Sequence, residues 1–346
     1  MSYSYFTNGT EELAMGEDLD QNVINAIGVI MLILTVVGFV GNSCIIFIVL
    51  VNRSMRNRPN ALVASLAVGD LLLLFFCIPL RLYQMIYFRW PFGNLMCKLS
   101  QGSVIASQSV SIFSMVALSH DRYRAIVTPM NYPRSRGSGR TFVTISVIWF
   151  LGIVASCPIV IFSHVRGNEF FSWCNYISHT SLEGKLHAIF RGLLLFIIPL
   201  VIINGYYCLV SRKLIMSTRA LPGEVHDKRS QISSRKRLAY LVLAIVILFT
   251  VCWLPFFIFE LLFQINDTIL NNSNALTYLR LLSEVLTYSN SCINPILITV
   301  VSSTYRKYFC NYLFCRCFRK AKFTRPRASI VSSKASSART RITEFA

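Results

Sequence analysis

The residues able to do chemistry in this chain are charges and amides set inside long apolar runs. Asp121-Arg122-Tyr123 closes the third run. An arginine at the end of an apolar helix is expensive in a bilayer, so it marks a working position. Asp70 stands in the second run, Ser111 in the third, Trp253 and Pro255 in the sixth, and Asn290, Ser291, Asn294 and Pro295 in the seventh. A carboxylate buried as Asp70 would be must be paired or hydrogen-bonded. Arg81, Arg191, Glu260, Arg280 and Glu284 form a second group in the outer halves of their runs, with Gln84, Gln101 and Val104 beside them. Helical spacing puts Arg280 and Glu284 on one face, where they can pair. Charges of both signs either neutralise one another or meet a zwitterionic or polar ligand such as a peptide. Catalysis needs a different pattern. Asp70, Glu260 and Glu284 are scattered rather than paired at one depth, and no nucleotide or metal motif occurs. The chain does not read as an enzyme and implies no organic cofactor.

Seven apolar runs carry these residues, at roughly 25–51, 61–87, 98–127, 141–164, 186–210, 238–264 and 276–300. A bilayer core takes about 20 apolar residues per helix, so each run is long enough to span it. At 54% hydrophobic and 14% charged, the 346 residues are too apolar for an ordinary soluble protein. The expected fold is an all-α membrane protein, a seven-transmembrane helix bundle over residues 23–301. The net charge of +19 raises the question of a nucleic-acid partner, and its distribution argues against one. Arg53, Arg56 and Arg58 lie in the first connection, and Arg134, Arg136 and Arg140 in the third. Arg212, Lys213, Arg219, Lys228, Arg229, Arg235, Lys236 and Arg237 fill the fifth, and the C-terminal tail is basic throughout. The even-numbered connections are poor in Lys and Arg. Basic connections stay cytoplasmic, so the N-terminal tail, residues 1–22, is outside and the C-terminus inside, as an odd number of spans requires. The expected location is the plasma membrane, multi-pass. No cleavable leader is visible in the polar, acidic start, so the first span directs insertion.

Compartment sorts the smaller features. Asn8-Gly9-Thr10 is a glycosylation sequon in the outer tail, and Asn266 and Asn271 head two more close to the membrane. Of eleven cysteines, six sit inside the runs and read as packing residues. Cys97 and Cys174 alone reach the oxidising side, where a disulfide would tether the fourth connection to the third helix. After the seventh run, Tyr305, Tyr308, Phe309, Tyr312 and Leu313 recur at helical spacing. This predicts an amphipathic helix over 302–318 on the inner membrane surface. Cys315 and Cys317 follow among basic residues, a setting for palmitoylation or simply free thiols. Residues 319–346 read as a disordered cytoplasmic tail.

The residues inside the spans resemble the fingerprint of rhodopsin-like G-protein-coupled receptors. The match comprises Gly41-Asn42, Leu66 to Asp70, Asp121-Arg122-Tyr123, Trp149, Pro199 with Tyr207, Phe249 through Pro255, and Asn294-Pro295, in order over about residues 25–320. The resemblance implies a sodium ion at Asp70 shared with Ser111, Asn290, Ser291 and Asn294; the alternative is a protonated, hydrogen-bonded Asp70. It implies G-protein coupling through Asp121, Arg122, Tyr123, Pro129 and Tyr207, with arrestin and receptor kinases as further cytoplasmic partners. It also makes Pro255 a hinge in the sixth helix, with Trp253 linking the pocket floor to it. Two departures stand out. The sixth helix begins Ser234-Arg235-Lys236-Arg237-Leu238, with no acid to pair with Arg122. Ile298 also stands where the family usually has tyrosine, removing a hydroxyl that would join Tyr207 through water.

Ala117 to Ser119 with Asp121 to Val127, Ser234 to Ala239, and Ser289 to Cys292 are similar to bombesin-type peptide receptors. The pocket departs from that pattern: Arg81 stands where those receptors carry an acid, and Glu284 where they carry an arginine. The second and seventh helices are neighbours in the fold that the resemblance implies, so Arg81 and Glu284 are expected to face one another across the pocket and together read a polar ligand terminus. Rival readings lack their marks. Residues 98–120 hold no acid for a biogenic amine, and residues 276–300 hold no lysine for a retinal Schiff base. No internal repeat suggests a transporter. The expected function is a receptor for an extracellular peptide that activates a heterotrimeric G protein, of the Gq class by resemblance. The alternatives are a receptor for a small non-peptide or lipid ligand, or a non-signalling seven-span scaffold.

Overall fold

The computed structural model describes residues 3–7, 11–15, 21–128, 138–167, 172–175, 182–219, 226–265 and 274–313. Eight helices dominate them. Helix α1 is Gln21–Val51, and α2 is Arg58–Tyr87, with a π turn at Leu73–Cys77. Helix α3 is Gly93–Val127 and α4 is Ser138–Phe162. Helix α5 runs through Leu182–Gly192, a π turn at Leu193–Ile197, and Ile198–Arg219. Helices α6, α7 and α8 are His226–Ile265, Asn274–Val301 and Ser303–Leu313. Six helices are each long and apolar enough to cross a membrane. The seventh meets that test only jointly with α8, from which it is bent by 107°. Arg280, Glu284 and the buried Ser283, Thr287, Asn290, Ser291 and Asn294 make α7 the more polar span, and its partners below explain how it tolerates them.

Local chemistry sets where helices start and relax. Asn57 caps α2, its side chain accepting from the Asn60 backbone N–H at 3.1 Å, with Pro59 in the first turn. The two π turns each end just before a proline. Pro79 and Pro199 lack an N–H and crowd the carbonyl four residues back. The chain relaxes one residue earlier, where Ile78 and Ile198 donate to Leu73 and Leu193, five residues back. Helix α3 is central, with 67% of its apolar window inside the protein against 17% for α1 and 22% for α4. Large apolar side chains such as Phe142, Phe150 and Val201 point outward, as a lipid-facing surface requires. Gly41 shows how closely α1 and α7 pack: a Cβ there would lie 2.7 Å from Pro295 Cγ.

The helices outrun the apolar runs at several ends. Helix α6 begins at His226, twelve residues before the apolar run, because the intervening Lys, Arg, Gln and Ser residues can form helix in water. The N-terminal segment carries two short strands. Strands β1 (Tyr3–Thr7) and β2 (Glu11–Met15) pair antiparallel, Tyr5 opposite Leu13. Asn8-Gly9 between them is a hairpin signal in the sequence. The fourth connection forms a second hairpin from β3 (His164–Gly167) and β4 (Ser172–Asn175). It is pinned to the bundle by Val165 N–H on Asn94 Oδ1 at 2.8 Å and by Ser172 Oγ accepting from Trp90 N–H at 2.9 Å. Cys97 and Cys174 are joined in a disulfide under it, as expected from their shared compartment.

Candidate functional site

The outer charges are not loose. Arg81 of α2 grips Glu284 of α7 as a fork: Nη2 donates to Oε1 at 2.9 Å and Oε2 at 3.1 Å, and Nε to Oε2 at 3.3 Å. Both side chains keep solvent contact, 27% and 20% exposed. Both oxygens of Glu284 are engaged by Arg81, the partner expected from the reversed charges on neighbouring helices. Arg280 is half-buried one turn outward and accepts a bond from Ser283 on its carbonyl. Gln84 is half-buried on α2, and Gln101 Nε2 lies 3.7 Å from Cys174 Sγ, under the hairpin. Val104 packs between two clusters of the core.

A second pair lies deeper. Arg191 Nη1 of α5 is 3.6 Å from Glu260 Oε2 of α6, and both side chains are at most 10% exposed. Arg191 also donates from Nε and Nη2 to Gln108 Oε1 of α3, at 3.2 and 3.1 Å. Its guanidinium lies over the Phe256 ring at 4.7 Å, a cation–π contact. Gln108 was missed by the sequence reading, although a glutamine two turns below Gln101 in an apolar run is the same kind of signal. Trp253 is buried in a ring ladder with Phe249, Phe256 and Phe257. Pro255 lies inside α6 between Trp253 and Phe256.

Mid-bundle, Asp70 is fully buried and its carboxylate accepts two bonds from α7. Ser291 Oγ donates to Oδ1 at 2.8 Å and Asn294 Nδ2 to Oδ2 at 2.9 Å. Asn42 ties α1 to the same place, donating to the Ser291 carbonyl at 2.8 Å. Ser111 and Asn290 are buried too. A Cβ on Gly69 would sit 3.2 Å from Val110, so α2 and α3 touch at the level of Asp70 and Ser111. Ser111 Oγ and Asn42 Oδ1 have no hydrogen-bond partner among the described residues. A carboxylate with uncommitted hydroxyl and carbonyl oxygens is the donor type that hard cations take, so these residues fit the sodium ion that the resemblance implies. Such an ion would be held by Asp70 and Ser111 and would neutralise the buried carboxylate.

At the end of α3, Arg122 Nη2 is 3.3 Å from Asp121 Oδ2. Asp121 is shared with Arg58, whose Nε lies 3.3 Å from Oδ1. Arg58 was read only as a topogenic charge; helix packing, which spacing does not reveal, brings it to Asp121. Tyr123 packs against Tyr206 of α5, ring centroids 5.4 Å apart and tilted by 36°. Tyr207 donates to the Ala239 carbonyl of α6 at 3.0 Å, tying the two helices directly. Ile298 is buried in the main core, where an apolar side chain fits. On α8, Tyr305 and Phe309 are buried, and Tyr312 packs edge-on against Phe47 of α1. Asn8, Pro129, Asn266, Asn271, Cys315 and Cys317 lie outside the described residues, as do the side chains of Ser234–Leu238 and the tail from 314 on.

The comparisons agree with this geometry. The family model described as 7 transmembrane receptor (rhodopsin family) matches residues 41–297. The chain is 34% identical over 288 residues to a bombesin receptor subtype-3 of Ovis aries, covering 81% of this chain and 72% of the relative. It is 35% identical over 302 residues to a neuropeptide CCHamide-1 receptor of Drosophila melanogaster, covering 83% of this chain and 60% of that relative. Six apolar helices with a seventh that qualifies together with the short eighth, a buried Asp70 bonded across to α7, and a match over most of the bundle lead to one conclusion: the chain belongs to the rhodopsin family of seven-transmembrane receptors and is not an enzyme.

Proposed function

We propose that this chain is a plasma-membrane receptor for an extracellular peptide and that agonist binding activates a heterotrimeric G protein, of the Gq class. The observation that carries the peptide reading is the pocket's charge. Arg81 with Glu284 and Arg191 with Glu260 give two opposed pairs, one partly exposed and one buried. An apolar lipid would gain nothing from such groups, whereas a peptide offers charges and amides to both. The names of the two relatives, one a bombesin receptor and one a neuropeptide receptor, support the same class. The N-terminus faces outside, with Asn8 glycosylated and Cys315 and Cys317 palmitoylated. Arrestin and receptor kinases act on the cytoplasmic face.

The mechanism is a shift between two arrangements, and the agonist must bind one of them better. Contacts at Arg191, Glu260 and Phe256 bear on α6 next to Pro255, where a backbone bond is missing. Outward movement of the cytoplasmic end of α6 breaks the Tyr207–Ala239 tie and opens the surface around Arg122. Sodium at Asp70 favours the resting arrangement. A library of neuropeptides applied to transfected cells tests the function: calcium release to at least one peptide, lost without the receptor, is expected. Response to lipids or amines but to no peptide would sink the peptide reading.

A further inference from the structure

Arg191 connects three helices, and Gln108 is the residue that aims it. Gln108 is 1% exposed and Arg191 7%. Gln108 Oε1 takes both Nε and Nη2 of the guanidinium, at 3.2 and 3.1 Å. That fixes the plane of the group. Nη1 is left facing Glu260 Oε2 at 3.6 Å, which is too long for a hydrogen bond, so the contact is electrostatic only. The flat face of the group covers Phe256 at 4.7 Å and stands 6.0 Å from the Trp253 ring. Phe256 and Glu260 belong to the part of α6 beyond Pro255, and Trp253 to the part before it. One side chain of α5, oriented by one of α3, thus touches α6 on both sides of its missing backbone bond. Unlike the Gln108 contact, the Glu260 contact is not closed by a hydrogen bond, so it costs less to exchange.

We propose that Gln108 is a positioning residue for activation. By holding Arg191 against Glu260 and Phe256, it keeps outer α6 tied to α3 and α5 in the resting receptor, and an agonist acts by taking Glu260 or Phe256 from Arg191. This rests on the receptor reading above, though it concerns residues that the reading does not use as a unit. Loss of the glutamine amide frees the guanidinium from α3, and loss of the Glu260 charge frees α6 from the guanidinium. Either change lets α6 rock about Pro255 without ligand.

Two readouts test this on the full chain. One is agonist-free GTP exchange on a reconstituted G protein. The other is the distance between spin labels at Arg140→Cys on α4 and Tyr240→Cys on α6, both exposed positions, with the other accessible thiols replaced by Ser. Gln108→Leu and Glu260→Gln should each raise basal exchange about fivefold or more and lengthen the label distance. Gln108→Glu, whose carboxylate accepts the same two N–H groups, should bring both readouts back toward wild type. The proposal is overturned if both loss variants reach the surface with the disulfide formed and keep the wild-type distance, or if Gln108→Glu behaves like Gln108→Leu. A lengthened distance with no exchange on any G protein would support the positioning role and overturn the G-protein reading.

Discussion

At the scale of single residues, the site is built from charges that answer one another. Arg81 and Glu284 interact through a fork of hydrogen bonds while remaining 27% and 20% exposed. Their worth should therefore fall between the surface and the buried case, about 1–3 kcal/mol. Reversing either alone, as Arg81→Glu or Glu284→Arg, should lower surface expression and thermal stability. Reversing both should recover much of each while weakening the native agonist. A double-mutant cycle in purified receptor measures the coupling; additive effects would show that the pair carries no interaction. Asp70 makes a second test. If its carboxylate holds sodium, agonist affinity should fall as sodium rises at constant ionic strength, and Asp70→Asn should abolish that dependence. Affinity of the wild type that ignores sodium would reject the ion and leave the protonated, hydrogen-bonded carboxylate. That Asp70 and Glu284 mattered was legible in the sequence because a charge in an apolar run is costly. The partner of Glu284 was legible too: Arg81 and Glu284 carry reversed charges on neighbouring helices, and they do pair. Nothing in the sequence pointed to Gln108 under Arg191 or to Arg58 on Asp121, because packing alone brings those side chains together.

At the scale of elements, the apolar runs fixed the number and order of the helices, but not their ends or irregularities. Water-exposed turns continue a helix without any hydrophobic signal, so the long start of α6 at His226 is invisible to hydropathy. The π turns had a signal in Pro79 and Pro199, but a proline alone does not distinguish a π turn from a simple kink. Helix α1 meets α7 through small residues: a Cβ on Gly38 would lie 2.8 Å from Cys292 Sγ, and one on Gly41 2.7 Å from Pro295. Packing, not conformational freedom, is what glycine supplies here. Gly41→Val must push Pro295 and with it the segment carrying Asn294, one of the two donors to Asp70. The expected cost is about 1–3 kcal/mol. It should appear as a lower melting temperature in detergent together with altered sodium dependence. A normal melting temperature would mean that α1 shifts freely and that this contact is not tight in the membrane.

At the scale of the whole molecule, α7 poses a problem that the rest of the bundle solves. It is the span that does not reach the apolarity of the other six without α8. A charged residue near the centre of a span costs about 2.5–3.5 kcal/mol on insertion. Glu284 meets Arg81, and Ser291 and Asn294 meet Asp70, so both matching groups come from α2. The placement of α7 thus depends on a helix that enters the membrane five spans earlier. The final parity of the chain depends on it as well. With α7 across, the basic tail stays on the same side as Arg53, Arg56 and Arg140; without it, the tail is left outside. An epitope tag at the N-terminus should therefore be stained on intact cells, and one at the C-terminus only after permeabilisation. Replacing both α2 partners, as Arg81→Leu with Asp70→Leu, leaves α7 polar with nothing to meet. A fraction of such chains should then expose the C-terminal tag on intact cells or be retained before reaching the surface. If the double variant is delivered with the C-terminus fully protected, α7 inserts on its own apolarity, and its pairing with α2 serves signalling rather than assembly.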